Sequence, residues 1–167
     1  EISYVSIDYY DERTIWTSQD GLDKQRKKLD ELKKEKQVNL IDLDRAREKG
    51  DLRENAEYQA AKEKDTNLNN AIAHLSEMIA KAKVFDTGSL SWEEVTLGIV
   101  ADVERNGKKE NYTIMGFWDT DEKKHVIAYN SPLARGIMGA KKGEEREVEL
   151  GGQQVKIKIL SIKPYKK

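Results

Sequence analysis

Two carboxylates in a short turn are the residues of this sequence best suited to chemistry. Asp51 and Glu54 lie at positions i and i+3, and the apolar Leu52 stands between them. Carboxylate oxygens are the ligands that Mg²⁺ prefers, but two carboxylates do not complete its near-octahedral coordination. The free protein is therefore expected to bind metal weakly. Because a solvent-exposed turn offers no core for Leu52, the stretch predicts a tip that inserts into a partner.

A simpler interpretation of the same turn is that its acids only stabilise a helix. Gly50 can supply the left-handed conformation that ends one helix. Asp51 can then cap the next helix, with Glu54 at the capping-box position three residues later. Each acid would interact favourably with the helix dipole by ~0.3–1 kcal/mol. This alternative requires no partner and no metal.

The composition excludes several other kinds of site. The 167 residues contain no Cys, which rules out disulfides, thiolate zinc sites and cysteine nucleophiles. The two His, His74 and His125, are too few for a histidine metal site, and we expect both at the surface. Lys and Arg number 30 against 31 Asp and Glu, so bulk charge predicts no nucleic-acid coat. No apolar run approaches the ~20 residues of a membrane span, which favours a cytoplasmic protein with no membrane partner. We also expect the protein to be a monomer.

A helical hairpin must position the turn. Only 37% of the chain is hydrophobic and another 37% is charged, as expected for a long solvated helical element joined to a small domain. Apolar residues recur with heptad spacing on both sides of the turn. The seam of the first arm is Leu22, Gln25, Leu29, Leu32, Lys36, Asn39, Leu43 and Ala46; that of the second is Tyr58, Ala61, Asp65, Leu68, Ile72, Leu75, Ile79 and Ala82.

Folding the chain back at Leu52 brings apolar seam residues opposite one another, which predicts an antiparallel coiled coil. The exception is Asn39 against Asp65, a polar layer of the kind that costs stability and fixes register. Arms of ~30 residues give a rod of ~45 Å. A coiled coil of this kind could also serve only for dimerisation.

The second half predicts a small α+β domain. We expect a strand with an irregularity in 95–104, a turn at Asn106-Gly107, strands in 111–118 and 124–129, a short helix in 131–138, and strands in 147–150 and 155–162 that pair across Gly151-Gly152. The predicted organisation is an extra segment (1–17), the hairpin (18–86) with its acidic tip (50–58), a linker (87–94) and the antiparallel sheet with its short helix (95–167). Trp92 and Trp118 are expected in its core or at its junction with the hairpin.

At this point the sequence resembles a known family. The stretch GDLRENAEYQAAKE (50–63), together with NSPLARG (130–136) and GAKKGE (139–144), is similar to bacterial GreA/GreB-type transcript cleavage factors, in particular the GreA type. The resemblance covers Ser18 to Ile162. Residues 1–16 depart from it, and with the absence of Met at position 1 they favour a longer parent polypeptide.

The resemblance implies a fold and a mechanism. It implies an FKBP-like second domain that docks on RNA polymerase, and a hairpin that enters the polymerase's secondary channel to stimulate cleavage of backtracked RNA. The polymerase would perform the hydrolysis, so the factor would not itself be an enzyme. Asp51 would complete a Mg²⁺ site shared with the polymerase, and Glu54 would orient or activate the attacking water.

The resemblance also implies contacts with RNA polymerase, the RNA 3′ end and nucleic acid of the elongation complex. The expected contact residues are Leu52, Arg53, Asn55, Tyr58, Arg47, Lys62, Ser131, Pro132, Leu133 and Arg135. For Arg47, Arg53 and Lys62 the alternative is ordinary helix-surface charge. For Pro132 and Leu133 it is that one starts a helix and the other packs inside. A channel-binding regulator without cleavage stimulation remains the alternative function.

Overall fold

The computed structural model describes residues 9–49, 55–86 and 93–166. The described residues form two compact units, which divide at Leu22/Asp23 and at Lys81/Ala82. One unit is helical and spans residues 23–81; the other contains the sheets and joins the chain before Asp23 to the chain after Lys81. None of the helices in the described ranges is long and apolar enough to cross a membrane.

The helical unit is an antiparallel pair. Helix α1 spans Gln19–Arg47 and α2 spans Ala56–Ala80. Side-chain contacts join Lys36 to Asn69 near the middle of the two helices and Asn55 to Ala46 where α1 ends and α2 begins, so the helices run in opposite directions. All sixteen predicted seam positions are buried or half-buried, whereas most of the positions between them are exposed. The heptad prediction is thus confirmed.

The structure shows the hydrogen bonds of the two polar residues in the hairpin seam. Asn39 is only 2% exposed, and its side-chain amide donates to the main-chain oxygen of Ala61 at 2.8 Å. Asp65 is half-buried; its Oδ2 accepts from Asn69 at 3.3 Å, while its buried Oδ1 has no hydrogen-bond partner in the structure. The hydrogen bond of Asn39 therefore runs to the backbone of the opposite helix and not to the Asp65 carboxylate.

The other unit is an α+β arrangement of two sheets and one short helix. The strands are β1 (Ile15–Thr17), β2 (Ala82–Val84), β3 (Ile99–Arg105), β4 (Lys108–Met115), β5 (Val126–Ala128), β6 (Glu145–Leu150) and β7 (Gln153–Pro164), and helix α3 spans Pro132–Ile137. The main sheet has the order β5-β4-β3-β7-β6, and β1 pairs with β2 in a separate two-stranded sheet. The predicted α+β class is confirmed.

The two predicted hairpin turns are present. Arg105 pairs with Lys108 across Asn106 and Gly107, which both have positive φ (53° and 79°) as a type I′ turn requires. Leu150 likewise pairs with Gln153 across Gly151 and Gly152. The irregularity expected in 95–104 is a register shift between Asp102 and Val103 in the pairing of β3 with β7.

Three details of the sheet differ from the sequence prediction. Strand β4 ends at Met115, because the main-chain N–H of Gly116 turns to the Asp119 carboxylate at 2.9 Å. Strand β5 pairs with β4 in parallel, so the sheet is mostly and not wholly antiparallel. His125 is exposed as expected, but it precedes β5 with a φ of 54° and does not belong to a strand.

The core of this unit includes a contribution from the amino-terminal segment. At its centre lie the fully buried residues Leu97, Ile114, Ile137 and Ile159. Three aromatic residues, Tyr9, Tyr10 and Trp16, pack against this core cluster. Trp118 is half-buried and meets Phe117 edge to face at 6.2 Å, whereas Trp92 lies outside the described residues. The aromatic residues that cover this core thus come largely from a segment whose role the sequence left open.

Candidate functional site

The start of α2 is capped by Asn55. The Asn55 side-chain oxygen accepts a hydrogen bond from the Tyr58 main-chain N–H at 3.1 Å, and Asn55 has extended backbone angles (φ −83°, ψ 99°). The helix begins at Ala56, so the interpretation of Asp51 as its cap and Glu54 as the capping-box residue is wrong. Asn is among the best N-cap residues because its short side chain reaches the free N–H groups of the first turn.

Asn55 also joins the two arms of the hairpin. Its Nδ2 donates to the main-chain oxygen of Ala46 at 2.6 Å, close to the end of α1. The oxygen and the nitrogen of one amide thus hold the ends of both helices, at the position where the chain leaves residues 50–54. Gly50, Asp51, Leu52, Arg53 and Glu54 themselves lie outside the described residues, so their predicted roles stay predictions.

Cationic side chains on both arms flank this end of the hairpin. Lys49 forms an ion pair with Glu57 at 3.3 Å, and Arg47 lies 3.9 Å from Asp44 and 5.7 Å from the ring centre of Tyr58. These contacts are exposed and contribute little stability. Lys62 is exposed on α2. Both interpretations of these cations, helix-surface charge and a track for RNA, remain compatible with such placement.

The candidate metal ligands of this protein are Asp51 and Glu54. In the part of the chain that the structure describes, no three His, Asp or Glu side chains are grouped so as to hold a metal ion. The carboxylates of Asp51 and Glu54 are hard oxygen donors suited to Mg²⁺, but a pair of them leaves most coordination positions to other ligands. A metal held there would need ligands from a partner.

The predicted docking residues lie on and next to α3. Ser131 is its N-cap and accepts from the Ala134 N–H at 3.4 Å. Pro132 occupies the first turn and is exposed, as is Arg135. Leu133 is 9% exposed and belongs to the core. The alternative interpretation is the one observed, since Pro132 starts the helix and Leu133 packs inside. The expectation of Leu133 as a surface contact is therefore wrong, and Pro132 and Arg135 are the exposed members of the set.

Helix α3 is held firmly on the sheet. Arg146 of β6 donates from Nη1 to the main-chain oxygen of Met138 at 2.7 Å, just beyond the helix end. A Cβ on Gly136 would come within 2.4 Å of Val148, so the helix lies directly against β6 at this point. The docking candidates are therefore presented on a fixed support.

Comparison with known proteins identifies the family. Residues 15–84 match the family model "Transcription elongation factor, N-terminal", and residues 90–164 match "Transcription elongation factor, GreA/GreB, C-term". The chain belongs to the GreA/GreB family of transcription elongation factors. The two matched regions cover most of the sequence and both structural units.

Curated relatives agree with this assignment. Transcription elongation factor GreA of Treponema pallidum (strain Nichols) is 40% identical over 126 residues, which cover 74% of this chain and 78% of that protein. GreA of a Nitratiruptor species is 36% identical over 154 residues, covering 89% and 94%. Among solved structures, GreA factor homolog 1 of Thermus thermophilus has a TM-score of 0.42 at 17% identity, covering 90% of this chain and 99% of that one.

An aromatic contact to Arg135 is the feature that sequence reasoning missed. The Arg135 guanidinium carbon lies 4.3 Å from the ring centre of Tyr10. Tyr10 precedes the region that matches the GreA/GreB family models, which begins at residue 15. Burial raises the pKa of the Tyr10 hydroxyl, and the Arg135 charge partly opposes that rise. The only signal in the sequence was an apolar segment before the first helix, which gave no partner for it.

Proposed function

We propose that this protein binds RNA polymerase and inserts the tip of its helical hairpin into the secondary channel, where it stimulates cleavage of backtracked RNA. In this proposal the polymerase performs the hydrolysis in the cytoplasm, and the factor, acting as a monomer, is not itself an enzyme. The observation that carries the proposal is the capping of α2 by Asn55. Because Asn55 satisfies the helix start, Asp51 and Glu54 are not needed for it.

The two acids would act on the polymerase's own active site. Asp51 would bind a Mg²⁺ ion that the polymerase carboxylates also hold, and Glu54 would orient the attacking water and accept its proton. Mg²⁺ in a two-metal site stabilises the attacking and leaving oxygens of phosphodiester hydrolysis. Asn55 supports this role by fixing the ends of both helices on either side of the turn.

Docking would use the surface around α3. Pro132 and Arg135 are exposed there, and Ser131 and Arg146 fix the ends of the helix. Leu133 would contribute through the shape of the helix, because its side chain lies in the core. Arg47, Arg53 and Lys62 would meet the RNA 3′ segment or the channel wall near the tip, together with Leu52 and Tyr58.

The test is a cleavage assay on stalled elongation complexes that carry 3′-labelled RNA. Adding the protein with Mg²⁺ is expected to release short 3′ fragments much faster than polymerase does alone. Labelled RNA without polymerase is the control and should stay intact. Binding to the polymerase without any increase in cleavage would favour a channel-occupying regulator, and cleavage of the free RNA would mean an independent nuclease; either result contradicts the proposal.

A further inference from the structure

Residues 9–16, which largely precede the matched family region, form an aromatic layer on the unit that carries α3. Tyr10 stacks on Tyr129, with ring centres 6.4 Å apart and planes inclined by 17°. Tyr9 meets Trp16 edge to face at 5.7 Å, and the Tyr9 hydroxyl lies 3.2 Å from that of Thr96. The Trp16 main-chain N–H donates to the Tyr129 hydroxyl at 3.2 Å. The segment is thus attached to the domain at several points.

Arg135 of α3 packs on the Tyr10 ring of this layer. The guanidinium carbon of Arg135 lies 4.3 Å from the centre of the Tyr10 ring, and its Nε–H donates to the Asn130 main-chain oxygen at 3.1 Å. Arg135 nevertheless remains exposed. Among the described residues it forms no ion pair. One face of the guanidinium and one of its donors are therefore fixed. Asp11 and Glu12 line the same surface depression, but neither forms a direct ion pair with Arg135 among the described residues.

An arginine held in this way is prepared for a carboxylate. The planar guanidinium donates two parallel hydrogen bonds to a carboxylate, and stacking on an aromatic ring orients that plane. Immobilising a long side chain before binding removes a cost that would otherwise be incurred on association. The partner proposed above for this surface is the polymerase, a protein, so the anion that Arg135 would meet there is a side-chain carboxylate.

We propose that Tyr10 is a positioning residue for polymerase binding, which orients the Arg135 guanidinium to receive a carboxylate on the polymerase surface. The proposal rests on the docking role of the α3 surface proposed above. It assigns to the segment before the matched region a part in affinity and none in the cleavage step. The Tyr10 ring acts through Arg135 and does not itself need to touch the polymerase.

The experiment measures the protein concentration that gives half-maximal cleavage and the maximal cleavage rate, using the full chain and stalled elongation complexes. Tyr10→Leu keeps an apolar side chain against Tyr129 but removes the ring beneath Arg135. It is expected to raise the half-maximal concentration about 2- to 10-fold at an unchanged maximal rate. Tyr10→Phe, which retains the ring, should behave like the wild type.

Two further variants separate positioning from general destabilisation. Tyr9→Leu is the matched control, because the Tyr9 ring packs on Trp16 and Tyr129 in the same layer while the Arg135 guanidinium lies over Tyr10. It should leave the half-maximal concentration unchanged. Arg135→Gln should raise that concentration by about tenfold. In the Arg135→Gln background, Tyr10→Leu should have no additional effect.

The outcomes distinguish this proposal from the docking role on which it rests. If Arg135→Gln weakens binding but Tyr10→Leu does not, or if Tyr9→Leu is as harmful as Tyr10→Leu, the positioning role of Tyr10 is wrong. Additive effects of the two substitutions would also contradict it. If Arg135→Gln has no effect, the docking role itself fails. Arg135-dependent binding of a DNA or RNA oligonucleotide by the free protein would mean that Arg135 binds a phosphate and not a carboxylate, which would overturn the proposal.

Discussion

The Nδ2 of Asn55 lies 2.6 Å from the main-chain oxygen of Ala46, so that the first residue before α2 is bonded to the last turns of α1. The Oδ1 of the same amide accepts from the Tyr58 N–H. One side chain therefore caps the second helix and joins it to the first. Asp51 and Glu54 lie between these two helix ends in the sequence, so Asn55 is the described residue that follows the proposed site most directly.

Replacing Asn55 should loosen the end of the hairpin. Asn55→Ala removes both hydrogen bonds and is expected to lower the free energy of unfolding by about 1–2 kcal/mol. Asn55→Asp keeps a cap acceptor, but its carboxylate cannot donate to Ala46 and would repel that carbonyl oxygen, so it too should be less stable than wild type. Thermal unfolding followed by circular dichroism measures both. Equal stability of Asn55→Ala and wild type would mean that the bridge contributes nothing.

The buried Asn39 should cost stability and provide specificity. Asn39→Leu replaces a polar side chain in the seam, and Ala61 retains the helical hydrogen bond of its carbonyl group. We expect the free energy of unfolding to rise by about 1 kcal/mol, with more than one register or association state in light scattering. Asn70→Leu, at an exposed position of α2, is the control and should change stability by less than about 0.5 kcal/mol. A less stable, still uniform Asn39→Leu protein would contradict this account.

The Asp11 carboxyl should titrate unusually low. Hydrogen bonds from the Arg13 side chain and main chain lower the pKa of Asp11 from 3.8 to about 2. Because the folded-state pKa is depressed, the contribution of this pair to stability is present above the ordinary pKa and is lost as the pH falls from 3.8 towards 2. Carboxyl NMR titration checks the value. In Arg13→Gln the guanidinium bonds are lost while the main-chain N–H of residue 13 still donates to the carboxylate, so the Asp11 pKa should rise part of the way towards its ordinary value; an unchanged low value would exclude the Arg13 side chain as its main cause.

The metal dependence of cleavage should report on the shared site. If Asp51 adds a ligand to Mg²⁺ held by the polymerase, the protein should lower the Mg²⁺ concentration needed for half-maximal cleavage, and Asp51→Asn should raise it again. The factor alone should bind Mg²⁺ weakly, because two carboxylates supply too few ligands. Calorimetry with Mg²⁺ and a cleavage titration measure the two quantities. If the wild type and Asp51→Asn need the same Mg²⁺ concentration for half-maximal cleavage, Asp51 is not a ligand of the metal.

Local patterns sufficed to predict the hairpin and the tight turns. The seam from Tyr58 to Ile79 follows from a spacing of three and four residues along one helix, and each turn depends on two residues of positive φ, such as Asn106 and Gly107. The exposed side of each arm follows from the same period. The structure of these elements depends on residues that are close together in the sequence, so a single sequence is enough to predict them.

Contacts between distant segments could not be predicted in this way. The pairing of Ile15–Thr17 with Ala82–Val84, the parallel alignment of β5 with β4, and the stacking of Tyr10 on Tyr129 join residues with no common local pattern. The sequence pattern predicts the wrong cap for α2 for a different reason. Asp51 and Asn55 are both good caps, and only the hydrogen bond to Ala46 on the opposite helix favours Asn55.

The most direct test of the central proposal is the maximal rate of RNA cleavage in stalled elongation complexes at saturating factor, compared between wild type, Asp51→Asn and Glu57→Gln. Glu57 is the matched control, since it is an exposed acid in the first turn of α2 that pairs with Lys49. We predict that Asp51→Asn binds polymerase as the wild type does but reduces cleavage to the rate of polymerase alone. Glu57→Gln should retain full stimulation. Glu54→Gln should slow cleavage, but by less than Asp51→Asn does. Full stimulation by Asp51→Asn would contradict the proposed role of the tip.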